Sequence, residues 1–150
     1  MPSSSMRSDE TARPKSFRFG RLLVAILALV QVIRLGAIPL IQSVLEGKNS
    51  DAWLFPAMTD VVVAAGAPFA AFVIWRKRGL GTWTYSVVWF VVSIMDHLDA
   101  ITAGVRSENP TPFPASDAAL VIQLAIMSLL ELSAVIWLVR PVARAYYLDR

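Results

Sequence analysis

Six ionisable side chains stand inside otherwise apolar stretches of this sequence: Arg34, Asp60, Asp96, His97, Asp99 and Glu131. Carboxyl groups, a guanidinium and an imidazole held away from water can hold and pass protons, bind a cation, or pair with one another. A charge in hydrocarbon costs ~2.5–3.5 kcal/mol on insertion scales, so such residues turn toward a protein interior or a water-filled cavity. One buried pair, Arg34 with Asp60, would only make insertion tolerable and fix helix register, and a pair of that kind is weak evidence for activity. The whole set does not reduce to it. Four acids face one arginine and one histidine, so even a charged His97 leaves at least two carboxyl groups without a cationic partner. Those groups must be protonated, solvated by water, or neutralised by a bound cation. Each of these outcomes describes a site.

The elements that position these residues follow from the apolar pattern. A chain of 150 residues makes one domain. It is 56% hydrophobic with a mean hydropathy of +0.57, above the ~45–50% apolar share of soluble domains. The apolar residues gather into four blocks, about 21–45, 53–75, 80–103 and 118–139. Each block is close to the ~20 residues that cross ~30 Å of hydrocarbon at ~1.5 Å per residue. Backbone groups in lipid must pair within their own segment, so each block is predicted to be a helix. The predicted fold class is an all-α integral membrane protein, a bundle of four transmembrane helices.

Residues 1–17 are polar and rich in Ser, Arg and Pro and read as a disordered tail. The transmembrane domain covers 18–142, and 143–150 form a short C-terminal tail. The basic tail with the apolar run at 22–30 resembles the start of a secretory signal. The apolar run continues past Arg34 through Ile38 and Leu40-Ile41 without a small-x-small cleavage site, so the helix is read as retained. Between the third and fourth blocks, Pro110, Pro112 and Pro114 stiffen a connector.

The N-terminal tail, the turn at 76–78 and the C-terminus carry eleven Lys and Arg, against Lys48 and Arg106 on the other side. The positive-inside rule then places both termini in the cytoplasm, and the expected location is a bacterial cytoplasmic (inner) membrane. Trp53, Trp75, Trp83, Trp137, Tyr146 and Tyr147 fall near span ends, where amphipathic rings prefer the headgroup region. The absence of cysteine excludes disulfides, thiolate catalysis, iron–sulfur clusters and cysteine zinc sites. The net charge is +3, but the basic residues flank the spans instead of forming a soluble patch. No nucleic-acid partner is expected.

Facing follows at ~100° per residue. Gln31, Arg34, Ile38 and Gln42 share an arc, which predicts a polar stripe on the first helix. Asp60 aligns with Ala64, Ala67 and Ala71; small residues at that spacing let helices approach, which points Asp60 into the bundle. Pro68 frees the carbonyl of Ala64 and is predicted to bend the second helix. On the third helix Ser93, Asp96 and Asp99 lie on about one side, with His97 turned away by ~100°. On the fourth, Gln123 and Glu131 lie within ~80° of each other. Asp96 and Asp99 share a face three residues apart, but one histidine directed away from them does not complete a transition-metal site. Nor is there a second histidine for haem. No metal and no cofactor is expected. Trp89, one turn before Ser93, is core by default and a candidate wall for an apolar or cationic ligand.

These readings converge on a polar cavity lined by Arg34, Asp60, Asp96, Asp99 and Glu131, with His97, Gln31 and Trp89 as further candidates. In size and span count the chain resembles small four-helix membrane proteins such as the small multidrug transporters and DoxX-like proteins. No family motif carries residues across. The expected function is binding or proton-coupled movement of a small cationic or amphiphilic molecule, with Glu131 or the Asp96/Asp99 pair exchanging protons. The alternatives are a membrane enzyme using carboxylate acid–base chemistry on a lipid or isoprenoid, and a non-catalytic accessory subunit. The expected partners are membrane lipid, a small-molecule ligand, and either a second copy of the chain in a homodimer or a membrane complex.

Overall fold

Pro39 decides the shape of the first span. It has no N–H to give the carbonyl of Leu35, and its ring crowds that turn. In the computed structural model, which describes residues 15–106 and 117–148, α1 (Lys15–Val30) gives way to a 3-10 segment, Gln31–Ala37, and α2 (Ile38–Leu45) restarts with Pro39 in its first turn. The Ile38 N–H turns back to the carbonyl of Leu35, the tighter pattern of a 3-10 turn. The three pieces form one rod, Ser16–Leu45.

Tighter winding has a consequence for facing. A 3-10 helix turns ~120° per residue against ~100° for an α-helix, so seven residues rotate the helix after them by ~140°. Gln31 and Arg34 are buried, whereas Ile38 and Gln42 are exposed. The predicted four-residue stripe therefore ends at Arg34.

A 3-10 turn, Asp51–Trp53, is capped by the Ser50 hydroxyl, which accepts from the Ala52 N–H at 3.3 Å. It leads into α3 (Leu54–Arg76), which runs on through Pro68, and then come α4 (Leu80–Arg106) and α5 (Asp117–Val139). Four rods are long and apolar enough to cross a membrane. The protein is an all-α bundle of four candidate membrane spans, and the described residues include no strand. Helix begins by Lys15 and Phe17 is already buried, so order reaches into the segment read as a tail. Residues 1–14 and the connector with Pro110, Pro112 and Pro114 lie outside the described residues.

Helix α3 packs along the first rod on one side and α4 on the other; α5 packs mainly along α4 and touches α1 over a short stretch. Small residues make these approaches close, Ala28, Ala64, Ala67 and Ala70 being almost wholly buried. Two apolar clusters result. One, at the basic end that carries Arg76–Arg78, includes Ala28, Val63, Phe90, Ala134 and Leu138; the other includes Ala37, Trp53, Ala57 and Ala100. The ionisable residues of three rods fall between the two clusters: Arg34 between Ala28 and Ala37, Asp60 between Ala57 and Val63, Asp96 between Phe90 and Ala100.

The C-terminal residues are more than a tail. Pro141, at a position where a missing N–H costs nothing, opens α6 (Pro141–Leu148), whose Ala143, Tyr146 and Tyr147 are buried at helical spacing. The Tyr147 hydroxyl donates to the carbonyl of Ile74 at 3.0 Å, satisfying one of the orphan acceptors at the end of α3. Its own carbonyl accepts from the N–H of Gly79 at 2.7 Å, where a backbone φ of 111° requires glycine. Trp83 Nε1 donates to the carbonyl of Leu138 at 2.9 Å. Thus α6 ties together the basic ends of α3, α4 and α5.

Burial pushes the Tyr147 hydroxyl up to about 12 from its ordinary 10.0, against the opposing pull of the Arg21 cation. The folded state therefore holds this proton more tightly than the unfolded chain. Its contribution to stability is complete below the unfolded value and is lost as pH rises from there through about 12. Melting of the wild type is expected to fall off between pH 10 and 12 at up to ~1.4 kcal/mol per unit more steeply than melting of Tyr147→Phe. Parallel pH profiles of the two proteins would contradict this assignment.

Candidate functional site

The 3-10 segment aligns residues three apart, so Gln31 and Arg34 project to the same side. Arg34 Nε donates to Gln31 Oε1 at 2.7 Å, and Gln31 is steadied by a longer contact, 3.4 Å, to the carbonyl of Leu27. The guanidinium reaches across the interior to three other helices. Nη1 donates to Asp60 Oδ1 at 3.0 Å and to Asp96 Oδ2 at 2.5 Å. Nη2 lies 2.6 Å from Ser93 Oγ, 2.6 Å from His97 Nε2 and 3.1 Å from Glu131 Oε1. The structure thus brings five of the six candidate ionisable residues into one cluster. Asp96 and Glu131 are enclosed, with side-chain exposures of 2% and 0%, whereas Asp60 at 27% is the member open to the surroundings.

The hydrogen bonds fix the form of His97. Its Nε2 faces an Arg34 N–H and so must accept, which leaves the proton on Nδ1. Ser128 Oγ lies 3.3 Å from Nδ1 and donates its own proton to the carbonyl of Leu124 at 2.9 Å, so it accepts from the imidazole. His97 turns away from Asp96 and Asp99, as the helical spacing predicts. That rotation aims it at α5, where its Nδ1 is 3.3 Å from Glu131 Oε2. That contact is out of line for a hydrogen bond, and Glu131 Oε2 is a buried oxygen with none. The other oxygen, Oε1, takes both nearby donors, Arg34 Nη2 and the Ser93 hydroxyl at 2.6 Å.

Several other residues named from the sequence lie outside the cluster. Asp99 is half-buried and makes no hydrogen bond or ion pair with another described residue. Trp89 packs edge-on against Phe90, ring centroids 5.0 Å apart, within the apolar cluster at the basic end. Gln123 is exposed and does not accompany Glu131 inward. Two hydroxyls not singled out in the sequence belong to the cluster: Thr59, which bonds to Asp96 Oδ1, and Ser128. Thr59 is adjacent to Asp60 and Ser128 is three residues before Glu131, and that proximity was the available signal. Because Asp99 stands apart, Asp99→Asn is expected to leave thermal stability within ~0.5 kcal/mol of wild type. A larger loss in a melting experiment would show that Asp99 belongs to the network.

The acids meet Arg34 directly and do not surround an open polar cavity. A groove of about 480 Å³ lies elsewhere, between α4 and α5, lined by apolar residues including Ala100, Ile101, Gly104, Val121 and Leu124. Among the described residues no group of three or more His, Asp and Glu is placed to hold a metal ion, and the Arg34 guanidinium stands among the carboxylates where such an ion would sit. Charge counting then constrains the chemistry. With His97 neutral, three ionised carboxyl groups around one guanidinium would leave two uncompensated negative charges in a low-dielectric interior, a cost of several kcal/mol per ion. Protons, a bound cation, or water at the open Asp60 side chain balance them. Glu131 Oε2, a buried acceptor without a hydrogen bond, is one place for a proton or a cation.

Fold and site together define a small four-span membrane protein with a buried charged network centred on one arginine. No protein-family model, curated protein or solved structure matches the chain.

Proposed function

We propose that this protein binds a small cationic or amphiphilic molecule within the membrane and exchanges protons for it at the Arg34 cluster. The observation that carries the reading is the ratio of three carboxyl groups to one guanidinium, with the buried Glu131 Oε2 lacking a hydrogen bond. A cation entering the cluster replaces protons at nearly constant net charge, and this makes the exchange favourable in an apolar interior. Asp60, the exposed member, receives the exchanged proton from the surroundings, and Glu131 with His97 holds the inner end. The distribution of Lys and Arg supports an orientation with both termini in the cytoplasm, in which the cluster lies near the middle of the bilayer. Transport across the membrane, as distinct from binding, takes a second copy, because one bundle of four helices is small for a complete path.

The test uses the protein in lipid nanodiscs in weakly buffered solution. Tetraphenylphosphonium, a permanent cation with no proton of its own, is added while pH is recorded. Release of up to one proton per bound cation is expected, and Glu131→Gln, which carries its hydrogens permanently, is expected to abolish it. Saturable binding without proton release, or release unchanged in Glu131→Gln, overturns the proposal and leaves the cluster a helix-joining device.

A further inference from the structure

The groove between α4 and α5 has an apolar lining, and helical spacing places two polar residues, His97 and Ser128, one turn beneath it as a floor. On α4, His97 precedes Ile101 by four residues and Gly104 by seven, so it shares their face one turn deeper in the bundle. On α5, Ser128 follows Leu124 by four residues, and its hydroxyl is bonded to the Leu124 carbonyl at 2.9 Å. These two floor residues meet each other at 3.3 Å. Behind them, 3.3 Å from His97 Nδ1, stands Glu131 Oε2, fully buried and without a hydrogen bond. The volume of about 480 Å³ falls within the ~300–1,000 Å³ of small-molecule sites, which join apolar walls to a few placed polar groups.

We infer that this groove holds the body of an amphiphilic organic cation, whose ammonium head passes His97 and Ser128 to reach Glu131 Oε2. The inference deepens the function proposed above and rests on it, adding where the apolar part of the ligand lies. Charge complementarity selects the occupant. The described lining side chains are all apolar and favour an apolar body, while beneath them stands a buried carboxylate oxygen without a hydrogen bond that a cation or a proton completes. The floor can open at small cost. Ser128 donates its proton to the Leu124 carbonyl whether or not it accepts from His97, so parting the two residues frees only the imidazole N–H.

The chain has no cysteine, so one introduced thiol reports on one place. Val121 lines the groove and is already 39% exposed, and Val62, 70% exposed on α3, serves as a control away from it. Val121→Cys and Val62→Cys proteins in phosphatidylcholine nanodiscs are treated with a maleimide, with and without dodecyltrimethylammonium or tetramethylammonium. At ten times its dissociation constant, the long-chain cation is expected to slow alkylation of the Val121→Cys thiol ~tenfold. It should leave the Val62→Cys thiol unaffected, and tetramethylammonium should protect neither. Adding Glu131→Gln to Val121→Cys is expected to remove the protection. Equal protection of both thiols would mean partition into bilayer only and overturns the inference. Protection that survives Glu131→Gln overturns the placement of the head. Proton release recorded on the same samples separates the two levels. No protection with proton release intact removes the groove and keeps the exchange reaction, whereas loss of both removes the underlying reading as well.

Discussion

Arg34→Ala is expected to prevent stable folding of the bundle, and the reason lies in what it leaves behind. The guanidinium joins the first rod to Asp60 on α3, to Ser93, Asp96 and His97 on α4, and to Glu131 on α5. Removing one partner from a buried ion pair costs ~3–5 kcal/mol, because the other charge stays buried and uncompensated. Here three carboxyl groups lose the same partner, against a total stability of ~5–15 kcal/mol for a domain. Arg34→Lys offers three donors from a single point and cannot span both Nη positions, so it is expected to fall between alanine and wild type. A second variant separates charge from packing. Combining Arg34→Met with Asp60→Asn, Asp96→Asn and Glu131→Gln removes both sides of the network and is expected to recover much of the lost stability. Melting in detergent, followed by tryptophan fluorescence, reads all three. An Arg34→Ala protein melting within a few degrees of wild type would refute the account of the cluster.

The second large effect belongs to the other end of the molecule. Tyr147→Ala is expected to cost ~3–5 kcal/mol, as for other fully buried aromatic residues. The side chain is 0% exposed, packs edge-on against Tyr146 with ring centroids 5.1 Å apart, and closes the end of α3 through Ile74. Around it the guanidiniums of Arg21 and Arg78 lie over the Tyr146 ring at 4.8 and 4.3 Å, and Phe17 stacks on Trp137 at 5.3 Å. Gly20 belongs to the same packing, since a Cβ there would come within 2.8 Å of Trp137 Cε2. Loss of Tyr147 should therefore release α6 as a unit. Tryptic cleavage after Arg144, which is followed by Ala145, is expected to become much faster in Tyr147→Ala than in wild type. Equal cleavage rates would show that α6 is not held by this contact.

Long-range apolar patterning made the four rods legible in the sequence, because a helix that crosses hydrocarbon has few ways to hide its length. Asp60 was legible too: Ala64 and Ala67 mark the close-packed side of α3, and the structure buries both. What escaped was local or relational. Pro39 overwinds the segment before it, and a uniform ~100° step carried the polar stripe on to residues that the extra rotation turns outward. Spacing along α4 sets the direction of His97 relative to its own helix only, whereas its partners come from the first rod and α5, and a long guanidinium meets it from across the bundle. Asp99 showed the converse, sharing a helical side with Asp96 but standing a turn beyond the reach of Arg34. In α6 the spacing of Ala143, Tyr146 and Tyr147 carried a helical signal, but the two tyrosines were read as interfacial rings and not as a core.

Proton exchange at the cluster requires that, when no organic cation is bound, its carboxyl groups store protons. Infrared spectroscopy of the protein in nanodiscs at neutral pH reads this directly, through the carbonyl stretch of protonated carboxyl groups. The expected result is such a band in the cation-free protein, smaller in Glu131→Gln, and diminished in wild type on adding tetraphenylphosphonium. A cation-free protein with every carboxyl group of the cluster ionised would contradict it.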